Sequence, residues 1–295
     1  MIRGKSDKIF EGVCIALAVI LALLCLYPLL YTLGVSLVGE GEWADRNGIM
    51  ILFPTHPNFV AYQKIFGVGS YVLKALWVSF LRTVAGTVTS VAINALVGYV
   101  LSRDNFPGKK AYIYFLLFTI FFSGGLIPNY LVNKELNLLN NFWVLILPNI
   151  VSAWNILIFK QFFLGLPKEI EEAAIIDGIG ELGLFVKIVL PLSTPVVASI
   201  GLFTMVGHWN NWFDVMIYID QAHSHLWTLQ YYIMINFNNL SQIDSTEIDI
   251  GAGGGVTQLT QRMALTIVGF LPILCIYPFF QRFFKDGVYM GAVKG

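Results

Sequence analysis

Charge is what this sequence has least of. Only 12% of its 295 residues are Asp, Glu, Lys or Arg, where about a quarter is usual for a soluble domain. Hydrophobic residues make up 57%, far too much to hide in a soluble core of this size. The 18 basic and 18 acidic residues cancel to a formal net charge of zero, which removes any case for nucleic-acid binding or for whole-molecule attraction to an anionic membrane. Cysteine is nearly missing. Cys14, Cys25 and Cys275 lie in apolar runs, three cannot all pair, and their spacing suits neither zinc nor a redox couple. They read as packed or lipid-facing thiols. The string Ala22-Leu23-Leu24-Cys25 lacks the small residue that a lipoprotein cleavage site puts before its cysteine. A phosphate loop is missing too: Gly4-Lys5-Ser6 looks like the end of one, but the earlier glycine and the preceding strand are absent. No His/Asp/Glu cluster has metal spacing and no nucleophile motif is present, which leaves an enzyme reading weak.

What is there is apolar and long. Runs over about 12–38, 75–101, 111–132, 142–163, 195–219 and 263–284 each reach or pass the ~20 residues that cross a bilayer. The first is too long for a signal-peptide core and has no small-residue cleavage site after it, so it is expected to be an uncleaved span, bent near Pro28. The fourth is interrupted at Pro148. These runs predict an all-α, polytopic membrane protein of six spans in a single domain over 1–295. None of the spans shows an internal Asp or Glu, Asp214 being read as part of the end of the fifth. Carriers coupled to protons or sodium commonly use such groups, so a secondary carrier is disfavoured and an external energy source is expected.

Orientation follows from the lysines and arginines. Arg3, Lys5, Lys8, Arg103, Lys109, Lys110, Lys160, Lys168, Lys187, Arg282, Lys285 and Lys294 fall on one side, which is 12 of the 18. Arg46, Lys64, Lys74, Arg82, Lys134 and Arg262 make the 6 of the other. Both termini and residues 164–194 are therefore expected in the cytoplasm. The long polar stretch 220–262, with Asp220, Asp244, Glu247 and Asp249, is expected outside.

The chain is organised around 165–194, the polar stretch between the fourth and fifth runs. Pro167 suits the first position of a helix, and Glu169, Glu171 and Glu172 oppose the positive end of its dipole. Ile170, Ala173, Ala174 and Asp177 share a face by spacing, and the two alanines make that face shallow enough for close approach by another protein. Gly178 is a candidate stop. A second short helix over Glu181–Ile188 is expected to break at Pro191 and Pro195.

The string Glu172-Ala173-Ala174, with Gly178, Ile188, Leu190 and Pro191, resembles the EAA motif of binding-protein-dependent ABC importer permeases at every fixed position, and Asp177 and Phe185 fit its carbohydrate-importer version. The resemblance extends over nearly the whole chain and lies nearest the oligosaccharide, alginate and uronate branch of the maltose-type permeases. It implies the type I, MetI-like fold. It also implies that this loop inserts into a cleft of an ATPase subunit, with ATP and magnesium used by that subunit and no cofactor held by this chain. The implied partners are two ATPase subunits, a second homologous permease forming a heterodimer, an extracytoplasmic solute-binding protein, membrane lipid and a carbohydrate. The implied location is the bacterial cytoplasmic membrane.

Two further features invite roles in the pathway. His208-Trp209-Asn210-Asn211-Trp212-Phe213-Asp214 closes the fifth run. Rings and amides suit a sugar, and a similar Trp-Asn string occurs there in carbohydrate permeases, but an interfacial aromatic belt reads as well. Arg82 is the one charge clearly inside a span; it either snorkels to the outer interface or meets an acidic group of the partner permease or the solute. Gly251-Ala252-Gly253-Gly254-Gly255 is a flexible connector, and the ending 285–295 is similar to the glycine-rich tail of maltose-type permeases. A channel that works without an ATPase is the rival reading.

Overall fold

In the computed structural model residues 5–46, 52–67, 70–240 and 256–292 are described. The glycine-rich string at 251–255, the acidic residues 244, 247 and 249, and Gly4 lie outside them. In chain order the helices are α1 (Lys5–Ser36), α2 (Glu40–Asp45), α3 (Val60–Ile65), α4 (Tyr71–Ser102), α5 (Lys109–Phe121), α6 (Leu126–Glu135), α7 (Ala153–Leu164), α8 (Lys168–Ile176), α9 (Glu181–Leu184), α10 (Leu190–Leu192), α11 (Thr194–Asn210), α12 (Phe213–Tyr218), α13 (Leu229–Leu240) and α14 (Gln258–Ala292). No strand occurs among the described residues, as hydrocarbon requires of a chain whose backbone groups must be satisfied within each segment.

By length and composition three of these helices can cross a membrane alone: Ile9–Ser36, Tyr71–Ser102 and Gln258–Gln281. Three bent pairs, each counted as one span, bring the number up to six. α5 and α6 meet at 116°, so the run expected to be one span over 111–132 is broken in its middle. The cause is Gly124-Gly125: Gly125 takes φ +85°, which only glycine adopts cheaply. The fourth run bends by 51° between Phe142–Asn149 and Ala153–Leu164, across 150–152 and just after Pro148. The polar stretch joins the fifth run through a bend of 82° between Glu181–Leu192 and Thr194–Asn210. The helix of that run ends at Asn210 and the chain resumes as the separate α12, so the stretch expected to run on to 219 is two elements. α1 continues through Pro28.

By contacts the chain forms two compact units. One contains residues 1–72 and 235–271. There the Ser36 hydroxyl meets the Tyr62 hydroxyl at 2.7 Å, Asn58 N–H donates to the Leu37 carbonyl at 2.8 Å, and the Thr260 hydroxyl donates to the Val38 carbonyl at 3.2 Å. Polar bonds thus close the end of α1, where Val35 and Val38 are fully buried.

The second unit contains residues 73–234 and 272–295. Its core packs Ala95 and Tyr99 of α4 with Phe159 and Phe163 of α7, and with Ala174, Leu184, Phe185 and Val189 of the polar stretch. α4 lies close to its neighbours because it is small where they cross. A Cβ on Gly98 would sit 2.7 Å from Phe159 Cβ, and one on Gly86 would sit 2.6 Å from the His208 ring. Cys14, Cys25 and Cys275 are all exposed on their helices.

Candidate functional site

Residues 165–194 fold as two short helices held against the second unit. α8 begins at Lys168, with Pro167 just before it and Glu169 and Glu171 in its first turn. It stops at Gly178, whose φ is +78°. Gly178 N–H donates to the Ile175 carbonyl at 3.0 Å and Ile179 N–H to the Ala174 carbonyl at 3.1 Å, which satisfies carbonyls the helix end would leave free. A Cβ at 178 would meet nothing within 4 Å, so the demand for glycine is one of backbone conformation alone. Gly178→Val is therefore expected to cost about 1–2 kcal/mol and Gly178→Asn clearly less, read as the thermal midpoint of the purified protein. α9 does not break at Pro191. Phe185–Val189 form a wide π turn, and the helix runs on through Pro191 to Leu192. Where the turn widens, the bonding pattern shifts by a residue, and a proline nitrogen without a hydrogen is accommodated.

The motif residues divide by the way they face. Ala174 is only 4% exposed and sits inside the apolar core, with Ile188 and Leu190 packed against that core. This corrects the expectation that Ala173 and Ala174 form one outward face. Ala174 faces the chain's own spans and leaves no surface for another protein. Glu172, Ala173, Asp177, Gly178 and Pro191 are exposed. Beside them Ile176 is 85% exposed, and Leu182 is also exposed. Ion pairs fix the stretch from α4. Arg103, the first residue after α4, pairs with Glu171 of α8 and, at 2.9 Å, with Glu181 of α9. Lys168 pairs with Asp104 at 3.1 Å. The Arg103 bond, then the Tyr99 hydroxyl, hold the Glu181 carboxyl below the usual range. Asp104 is lowered likewise by Lys168. In sequence Arg103 served only to fix orientation; its spacing of four from Tyr99, on one helix face, was the available signal.

A second polar cluster lies deeper. Arg82 is fully buried. It donates from Nε to the Leu145 carbonyl at 3.1 Å, from Nη1 to the Asn211 carbonyl at 2.7 Å, and from Nη2 to Asp214. It therefore does not snorkel, and its acidic partner belongs to its own chain. The reading that the spans hold no interior carboxylate is corrected with it: Asp214 is buried and also accepts from Asn211 at 2.8 Å and from Asn149 at 3.3 Å. Twelve residues along α4, Asn94 does the same for the other break. It donates to the Ile150 carbonyl at 3.1 Å and accepts from Ser152 N–H at 2.9 Å. Irregular backbone at membrane depth needs such partners. Arg82, Gly86, Ser90, Asn94 and Gly98 recur every four residues, a stripe legible in the sequence once close helix packing is sought.

The Trp-Asn string does not form one surface. His208 and Trp209 are buried, while Asn210 and Trp212 are exposed. Asn211 spends its amide and its carbonyl on Asp214 and Arg82. Among the described residues no group of three or more His, Cys, Asp or Glu could hold a metal ion.

Residues 110–288 match the model of the binding-protein-dependent transport system inner membrane component. The polygalacturonan/rhamnogalacturonan transport system permease protein YtcP of Bacillus subtilis is 36% identical over 290 residues, covering 98% of this chain and 100% of that one. Protein LplC of the same organism is 35% identical over 295 residues, covering 100% of this chain and 98% of that one. The arabinooligosaccharides transport system permease protein AraQ of Halalkalibacterium halodurans is 30% identical over 304 residues, covering 99% and 100%. The fold is shared with a chain from the crystal structure of a bacterial ABC transporter involved in import of the acidic polysaccharide alginate, with a TM-score of 0.83 at 24% identity over 96% of this chain and 99% of that one. The chain belongs to the family of inner membrane components of binding-protein-dependent transport systems, and it is a transport subunit and not an enzyme.

Proposed function

We propose that this chain is one of two permease subunits of an ATP-driven importer for an oligosaccharide. α8 docks into a separate ATPase subunit that binds ATP and magnesium, and the second permease completes the pathway as a heterodimer. The relatives named for pectic polymers and arabinooligosaccharides support the cargo class. The observation that carries the coupling role is the division of the motif: Ala174 and Arg103 seat the stretch on its own spans, while Glu172, Ala173, Asp177 and the apolar Ile176 are left outward. An apolar side chain so exposed on a polar loop fits a protein partner. Asn210 and Trp212, still exposed, are the pathway candidates from the string, with Arg82 and Asp214 behind them.

Ala173→Trp tests the docking. Its Cβ points outward, so the permease is expected to accumulate and melt as the parent does while co-purified ATPase falls at least tenfold; unchanged co-purification would refute the docking reading. A channel would pass solute in liposomes that contain this chain alone, and no such flux is expected.

The 12 to 6 split of lysines and arginines supports both termini and 165–194 in the cytoplasm, with 220–262 outside on the face of the solute-binding protein. In a variant with Cys14, Cys25 and Cys275 replaced by serine, a cysteine at Gln221 is expected to react with an impermeant thiol reagent in intact cells. Cysteines at Glu169 and Lys5 are expected to react only after lysis. The reverse pattern would invert the topology.

A further inference from the structure

We propose that Arg103 is a positioning residue for energy coupling, fixing α8 and α9 together to the end of α4 so that displacement of the docking stretch is delivered along α4 to the buried cluster at Arg82. The inference rests on the docking reading above.

The observations converge on one guanidinium. It bonds Glu171 of α8 and, at 2.9 Å, Glu181 of α9. It lies 4.8 Å from the centroid of the Tyr99 ring. The Tyr99 hydroxyl donates to the same Glu181 oxygen at 2.8 Å, and the ring itself lies 4.9 Å from Phe185 and 6.3 Å from Phe163. Tyr99 and Arg103 thus join α4 to the docking stretch twice, through an apolar contact and an ionic one. Among the described residues no other cation pairs with both α8 and α9. An arginine suits the place: its planar fork serves two carboxylates at once, while a lysine is a point charge. Without it, Glu171 and Glu181 would bring like charges together at the loop's attachment.

What makes this a relay is the helix behind it. α4 is continuous from Tyr71 to Ser102. The 21-residue interval from Arg82 to Arg103 is about 31 Å of rigid rod at ~1.5 Å per residue. At its far end Arg82 holds the Leu145 and Asn211 carbonyls and Asp214, and midway Asn94 holds the break at 150–152. Small residues at Gly86 and Gly98 bring α4 against His208 and α7, so a shift of α4 is felt by the fourth and the fifth runs.

The test uses the assembled importer with its ATPase and solute-binding protein. Arg103→Ala is expected to keep ATPase co-purification at the parental level, since Ala174 still seats α8 in the apolar core and Glu172, Ala173 and Ile176 are untouched. Solute-stimulated ATP hydrolysis and uptake are expected to fall at least tenfold. Arg103→Lys should fall between. The reversal Arg103→Glu with Glu171→Arg and Glu181→Arg should recover stimulation that Arg103→Glu alone loses. If Arg103→Ala fails to accumulate, the lysine variant and the reversal carry the same criterion. Uptake within twofold of the parent in Arg103→Ala overturns the proposal. So does loss of ATPase binding in step with loss of uptake, which would make Arg103 part of the docking surface. Failure of the docking reading shows separately, as ATPase retained by Ala173→Trp.

Discussion

Arg82→Ala is expected to leave little folded permease in the membrane and no uptake. The substitution removes three bonds at once, to the Leu145 and Asn211 carbonyls and to Asp214. The carboxylate then stays buried with only the Asn211 and Asn149 amides as side-chain donors. Breaking one partner from a buried ion pair costs about 3–5 kcal/mol, and a stranded carbonyl adds about 1–3 kcal/mol. Against a total stability of ~5–15 kcal/mol the loss decides folding. Arg82→Lys should be intermediate, since an ammonium cannot reproduce the three-way fork. The double change Arg82→Met with Asp214→Asn should recover part of the loss, because no unpaired charge remains. Membrane abundance and the thermal midpoint in detergent read all three. An Arg82→Ala protein that melts and transports as the parent does would show that the clamp contributes nothing.

Ala174→Phe is the second large effect, and its cause differs from the one spacing suggested. A phenyl ring has no room beside Tyr99, Phe163, Leu184 and Phe185. Overpacking of this kind costs about 1–3 kcal/mol or more. The cheapest relief is for α8 to lift from its seat and turn Glu172 and Ala173 out of register with the ATPase. Lost docking is therefore expected together with a lowered thermal midpoint, whereas Ala173→Trp loses docking at an unchanged midpoint. Ala174→Gly should keep docking and lose the ~1 kcal/mol of helix propensity together with a buried methyl worth about 0.8 kcal/mol. Equal midpoints for Ala173→Trp and Ala174→Phe would place both residues on one surface and undo the division of the motif.

The motif was legible because it is a matter of spacing: Glu172, Ala173, Ala174, Gly178, Ile188, Leu190 and Pro191 carry the family by their intervals. Their facing was not. α8 is nine residues long, with Ile170, Ala173, Ala174, Ile175 and Ile176 spread around it, so hydrophobic periodicity cannot say which alanine is inside. The bend between α5 and α6 was hidden because a length criterion runs over Gly124-Gly125 when both sides are apolar. The π turn ahead of Pro191 has no composition of its own to betray it. Asp214 was misplaced for another reason: counting from the bilayer edge treats it as outer, but the helix stops at Asn210 and α12 carries the carboxylate back to α4. Arg82 pointed to an acidic partner; only the fold could say that the partner was its own.

The bond from Arg82 to Asp214 spans 132 residues of chain, and that interval is also a delay. At ~5–20 residues per second the ribosome adds Asp214 roughly 7–26 s after Arg82. Through that time α4 holds a cation whose counter-charge is not yet made, whereas Asn94 already has Ser90 as a partner within the helix. An arginine at the centre of a span costs about 2.5–3.5 kcal/mol to insert, and the apolar remainder of α4 must offset it alone. Until α12 follows, Arg82 can be solvated only by water or by protein other than its final partner. The final clamp is a late event of synthesis, and a chain that ends before residue 214 has α4 without its counter-charge.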